Sequence, residues 1–329
     1  MRTRHTLGLA AVVSCATLFA MVLVVRDGES GGDASSRSRF PKGHYAALGD
    51  SYTSGPDIPD QNGEPAGCDR SDRNYPALVA DGLGLEATRF RDMSCSGATM
   101  GDLLAPQSTD DGVNPAQLSA VSSNTRLVTL GIGGNDIGFA SLVTTCVKAG
   151  ARHQRYQRDQ MENGAVSRAD DDPCRARYVS VGTDEVATRI TAAGRRLSAA
   201  LRAIGQRAPN ARVYVVGYPS ILPAKGGGGN GGGDGDCVRA MGLAPGDVSF
   251  LRQKEQQLNA MLRDRAEAAG AVYVDTYTPS VGRDACAAPD VRWIEPLIPA
   301  APAASVHPNE RGERGMARAV LSAVRAAGS

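Results

Sequence analysis

Aromatic residues make up only 5% of this 329-residue sequence, with a single tryptophan, and there are just four lysines and four histidines. With a formal net charge of +1 and no basic stripe interleaved with stacking rings, nothing here fits a nucleic-acid backbone. No two cysteines form a C-x-x-C pair, and with histidine so scarce a zinc site is poorly supported. The glycine-rich run at 225–236, "KGGGGNGGGDGD", lacks a following Gly-Lys-Ser/Thr and is therefore no phosphate cradle; it reads as a mobile surface loop. Nor does a G-x-S-x-G elbow stand between a strand and a helix, which argues against a serine enzyme of the α/β-hydrolase kind.

One long apolar run is present. Arg2 and Arg4 precede an uncharged stretch from Leu7 to Val25, which stops at Arg26 and Asp27. That pattern is an export signal or a membrane anchor, and either places the rest of the chain outside the cytoplasm. Cys15 lies in the middle of the run, not at its end, so a lipoprotein signal is disfavoured. The expected organisation is a signal peptide or signal anchor over 1–26, a flexible tether over 27–40 and one folded domain over 41–329. Beyond Cys15 six cysteines remain, Cys68, Cys95, Cys146, Cys174, Cys237 and Cys286. An even number in an exported chain favours disulfides over buried thiols, with fifteen possible pairings.

Short β-branched runs alternate with longer amphipathic ones. Strands are expected at 44–50, 89–95, 126–132, 212–219 and 271–277, and helices near 74–84, 113–123, 184–206, 246–269 and 309–327. This is the rhythm of a three-layer α/β/α fold, a flavodoxin-like, doubly wound sheet of about five parallel strands in the order 2-1-3-4-5. Val186, Ile190, Ala193, Leu197, Leu201 and Ile204 recur at three and four residues, a core stripe without chemistry. The polar stretch 146–175, bracketed by two cysteines, reads as a solvated excursion.

In an open parallel sheet, functional groups gather at the carboxyl ends of the strands. Three of these ends carry unusual polar sequences: "GDSYTSG", "SCSGATMGD" and "GIGGNDIGF". Ser51 in the first is, by default, the polar start of a helix. As a nucleophile it needs a base and donors for the oxyanion. Its own N–H, the N–H of Gly97 and the side-chain amide of Asn135 would provide three such donors. Elimination finds the base. His5 belongs to the export segment, His153 to the polar excursion, and His44 starts the strand that ends at Ser51, roughly 23 Å away at about 3.3 Å per residue. His307, just before the last helix, remains.

Taken together, "GDSYTSG", "CSGAT", "GIGGND" and "HPNERG" resemble the four blocks of the SGNH (GDSL) hydrolase superfamily, in order. The similarity is closer still to secreted actinobacterial esterases and lipases, through "EPAGCDRSDRNYPALVA", "VVGYP", "YVDTYTPSVGRDAC" and "RWIEP", and runs from about residue 44 to 320. The resemblance implies catalysis by Ser51 and His307, an oxyanion hole of Ser51, Gly97 and Asn135, and no metal or organic cofactor. It also implies sequential disulfides, Cys68 to Cys95, Cys146 to Cys174 and Cys237 to Cys286. Many members carry an aspartate three residues before the base, but Ala304 stands there. Some relatives use a main-chain carbonyl instead, here that of Ser305, with Glu295 or Asp290 as the weaker third member.

The expectation is thus a monomeric esterase or lipase acting on ester or lipid substrates, extracellular or anchored to the outer face of the membrane through residues 7–25. An acyltransferase or polysaccharide deacetylase would use the same residues. A non-catalytic binding module is disfavoured because all four block residues are intact. Asp50 is read as a support for the turn, without a chemical role.

Overall fold

The computed structural model describes residues 43–163, 171–224 and 234–327. The export segment, the tether and most of the glycine-rich loop lie outside them. Five parallel strands form the central sheet: β1 (His44–Gly49), β2 (Phe90–Asp92), β3 (Thr125–Gly131), β4 (Arg212–Val216) and β5 (Val272–Val274). Their order is 2-1-3-4-5, with β1 in register against β3 from Tyr45 opposite Leu127 to Gly49 opposite Gly131. This is an α/β fold with an all-parallel central sheet, covered by helices on both faces.

Alternation along the strands divides the core in two. Tyr45, Ala47, Leu127, Tyr214 and Val216 pack on one face with α2 (Tyr75–Gly82) and α6 (Glu310–Ala326). Ala46, Leu48, Val128, Leu130 and Val215 pack on the other, with α3 (Phe139–Glu162), α4 (Glu185–Arg207) and α5 (Pro245–Ala268). Both faces are apolar, as a sheet covered on two sides requires. The six-residue stripe of α4 is buried throughout. Asp184 caps this helix by accepting from the Ala187 N–H, and its other carboxylate oxygen pairs with the buried Lys254 ammonium of α5.

Three expectations need correction. The segment 113–123 is not a helix: a hairpin joins Gln107–Thr109 to Gly112–Asn114, and a single 3₁₀ turn covers Gln117–Ala120. Its polar side chains are drawn into long-range bonds instead. Asn114 accepts from Arg70 and donates to the Met93 carbonyl, while the Gln117 amide pairs with both backbone groups of Gly49 at 2.8 and 2.9 Å. Residues 146–162 are not a solvated loop but the continuation of α3, whose inner face buries Leu142, Val143, Cys146 and Ala149 while its polar residues face outward. The glycine-rich loop ends earlier than expected, because a helix begins at its last residues, Asp234–Met241.

The cysteines pair in sequential order, Cys68–Cys95, Cys146–Cys174 and Cys237–Cys286. The first closes a 27-residue separation, which in the chain-entropy model contributes about 3.5 kcal/mol. It also ties the Gly97 turn to the segment around Asp69, since the Ser96 N–H donates to the Cys68 carbonyl. Among the described residues, no helix is long and apolar enough to cross a membrane.

Candidate active site

The loops that follow β1 to β4 surround a cavity of about 470 Å³. Ser51, Gly97, Asn135 and His307 all line it, as do apolar side chains including Phe139, Val143, Ile221, Leu258 and Leu297. Each polar group owes its position to a local device.

Ser51 is the first residue of α1 (Ser51–Ser54), a single turn immediately after β1. Asp50 caps it, accepting from the Tyr52 N–H at 3.0 Å. The cap therefore leaves the Ser51 N–H alone, and among the described residues that N–H has no protein acceptor. The turn sits flush against the sheet because position 49 has no Cβ; one there would lie 2.2 Å from Thr53 Oγ1 and 2.5 Å from the Gly131 carbonyl.

His307 arrives from the far end of the chain. Its Nε2 lies 2.8 Å from Ser51 Oγ and its Nδ1 2.8 Å from the Ser305 carbonyl. A carbonyl only accepts, so Nδ1 carries the proton and the Nε2 lone pair faces the serine hydroxyl. The residue between carbonyl and ring, Val306, has φ +62°, a left-handed backbone that a β-branched side chain rarely adopts. Surrounding bonds hold it there. The Val306 N–H donates to the Glu295 carbonyl, the His307 carbonyl accepts from the Glu295 N–H, and Tyr52 Oη donates to the Val306 carbonyl at 2.5 Å. Burial disfavours the imidazolium and lowers the His307 pKa, against a smaller opposing effect of the Ser305 carbonyl.

Neither carboxylate considered as a third member reaches the ring. Asp290 is exposed. Glu295 is buried and spends its oxygens on the Ala300 and Ala301 N–H groups and on the Asn309 amide. Through Asn309, which caps α6, it fixes the loop that carries His307.

Gly97 has φ +77°, and a Cβ there would meet only Gln107 Nε2 at 3.8 Å; backbone conformation, not space, requires glycine. Among the described residues its N–H has no protein acceptor. Asn135 Nδ2 donates to the Ala98 carbonyl at 2.9 Å, which fixes the amide orientation and leaves one N–H for the cavity. Neighbouring Asp136 joins the same two loops by accepting from the Met100 N–H, and its other oxygen accepts from Arg196 of α4.

Several contributors escaped the sequence reading: Gln117, Asp136, Glu295 in its structural role, and Tyr218, the partner of the turn-supporting Asp50. Tyr218 Oη donates to Asp50 Oδ2 at 2.5 Å and accepts from the Gly134 N–H at 2.8 Å. Burial pushes the Asp50 carboxyl up to about 7, with the Tyr218 hydrogen bond working in the opposite direction. Asp136 adjoins Asn135 and Tyr218 follows β4, so their positions at strand ends were available as signals. Their partners were not.

Comparison with known proteins gives the family. A model of the "GDSL-like Lipase/Acylhydrolase family" matches residues 47–314. The chain is 38% identical over 285 residues to Lipase 2 of Streptomyces coelicolor, covering 86% of both proteins, and 31% identical over 281 residues to a lipase of Streptomyces rimosus, covering 85% of this chain and 86% of that one. Among solved structures, phospholipase A1 from Streptomyces albidoflavus NA297 superposes with a TM-score of 0.64 at 26% identity, covering 88% of this chain and all of that one. The extracellular lipase of Streptomyces rimosus gives 0.62 at 29% identity, covering 87% and 100%. A family match over most of the chain, with relatives aligned over nearly their whole length, means that this protein belongs to the GDSL-like lipase/acylhydrolase family and is a carboxylic ester hydrolase of the lipase/esterase type.

Proposed function

We propose that this protein is an exported serine esterase or lipase that works by a Ser51–His307 dyad. The observation that carries the reading is the continuous path from the Ser305 carbonyl through the His307 ring to the Ser51 hydroxyl, with 2.8 Å at each contact. Ser51 Oγ attacks the acyl carbonyl carbon while its proton passes to Nε2. The carbonyl oxygen, now negative, accepts from the Ser51 N–H, the Gly97 N–H and the Asn135 amide. Collapse expels the alcohol, which takes the proton from Nε2, and leaves the acyl group on Ser51. Water then attacks the acyl carbon, giving a proton to Nε2, and the acid departs as Ser51 recovers it.

The Ser305 carbonyl orients the ring but brings no full charge to stabilise the imidazolium. Burial disfavours that cation further, so the resting base stays neutral at pH values below the ordinary imidazole midpoint of about 6.5. Following the His307 ring protons by NMR should give a midpoint below 6.5, assigned by its loss in His307→Ala; a midpoint above 6.5 contradicts this electrostatic account.

The apolar wall indicates that the acyl chain is the part recognised. Turnover of chromogenic esters with two to sixteen acyl carbons tests the reading. Specificity, kcat/KM, should rise by about fourfold for each methylene that enters the cavity, the equivalent of about 0.8 kcal/mol, then level off. A folded, oxidised protein that cleaves none of these esters would sink the reading. Export is part of the same proposal: residues 1–26 direct it, 27–40 form the tether and 41–329 the hydrolase domain, with three disulfides suited to an oxidising compartment.

A further inference from the structure

The oxyanion donors come from different strands: the Ser51 N–H follows β1 and the Asn135 amide follows β3. Their separation must match one substrate oxygen to within a few tenths of an ångström for both to help. The Ser51 turn is tied to the end of β3, where the Gly131 carbonyl accepts from the Asp50 N–H at 3.0 Å and from the Thr53 hydroxyl at 3.1 Å, but no hydrogen bond runs from it directly to Gly134 or Asn135 among the described residues. A third strand supplies the link beyond Gly131. Tyr218, two residues beyond β4, reaches across so that its hydroxyl donates to Asp50, the cap of the Ser51 turn, and accepts from the N–H of Gly134, the neighbour of Asn135.

We infer that Tyr218 is a positioning residue that sets the spacing of the oxyanion donors, using one hydroxyl to hold the Ser51 turn through Asp50 and the Asn135 turn through Gly134. This rests on the proposed roles of Ser51 and Asn135.

Three features suit Tyr218 to the task. Its backbone is clamped by Asn259 of α5, whose amide accepts from the Tyr218 N–H at 2.8 Å and donates to the Tyr218 carbonyl at 2.9 Å. Its ring is buried and meets the edge of Tyr52 with centroids 5.1 Å apart, and Tyr52 in turn holds the Val306 carbonyl beside His307. Both uses of the hydroxyl are directional: one donor proton goes to the carboxylate and one lone pair takes the backbone N–H. Phenylalanine keeps the ring and loses both bonds.

A double-mutant cycle separates positioning from general support. Tyr218→Phe should lower kcat for a soluble ester by about 10- to 50-fold, with KM within about twofold. In an Asn135→Ala background, where one of the donors to be spaced is already gone, the same substitution should cost less than about threefold. Asp50→Asn, which keeps the cap on the Tyr52 N–H but presents a donor where Tyr218 needs an acceptor, should show the same coupling and serves if Tyr218→Phe does not fold. Equal fold losses in the two backgrounds, or a Tyr218→Phe enzyme with unchanged kcat, would overturn the inference. Ser51→Ala in the same series keeps the two readings apart: if it retains activity the hydrolase mechanism itself fails, whereas its inactivity with additive Tyr218 effects sinks only the positioning role.

Discussion

Ser51→Ala and His307→Ala are each expected to reduce kcat by about four orders of magnitude or more, and the double variant to be no worse than either alone. In the proposed mechanism, attack on the acyl carbon, proton transfer to the leaving alcohol and deacylation use these residues as one unit. Removing either member stops all three, so the second removal has little left to stop. What survives is the background that the oxyanion donors and the bound geometry provide. Both substitutions should leave the fold intact. Ser51 is not the cap of its turn, a role held by Asp50. The His307 backbone stays fixed by its bonds to Ala304 and Glu295, which do not involve the ring. Initial rates on a soluble ester, with unfolding midpoints alongside, check the prediction. Retention of more than about one per cent of activity by a folded Ser51→Ala protein would contradict the dyad.

Asn135→Ala carries the second-largest expected effect, a loss of about 10² to 10³ in kcat with little change in KM. The ground-state ester carbonyl is neutral and weakly bound by a side-chain amide; the tetrahedral intermediate carries a full negative charge on that oxygen. An interaction that strengthens only as the charge develops appears in kcat and not in KM. The amide is already oriented by the Ala98 carbonyl at 2.9 Å, so no reorganisation is needed at the moment of attack. Asn135→Asp should be worse than alanine, because it turns an acceptor and a negative charge toward the developing oxyanion. A loss expressed mainly in KM would instead assign Asn135 to substrate binding.

The parts of this protein that are written in short windows were legible. Alternating apolar runs marked the five strands, and the 3.6-residue stripe of Val186 to Ile204 marked α4. The failures have a common cause. At 113–123 an apparent helix yielded to Asn114 and Gln117, whose side chains find partners on Arg70, Met93 and Gly49, far away in sequence. On α3 the polar outer face beyond Lys148 outweighed, in a composition reading, the buried inner positions Cys146 and Ala149. In both cases the deciding neighbour lay outside the window.

The same division holds at the site. The sequence by itself determined which residue types stand at the ends of the strands, that an acid directly precedes Ser51 and supports its turn, and that His307 remains when other histidines are eliminated. These are matters of chain order and local propensity. Only the tertiary structure decided that His307 Nε2 faces Ser51 across 256 residues, that Glu295 supports a loop and not a ring, and that Tyr218 joins two turns through Asp50 and Gly134. The physical reason is clearest at Ser305. Every residue type has a carbonyl, so one that orients an imidazole leaves no signature in the residues themselves, and only the family resemblance pointed to Ser305. Here it is aimed by a left-handed valine that local preference disfavours, held in place by bonds to Tyr52 and Glu295 that exist only once the chain has folded.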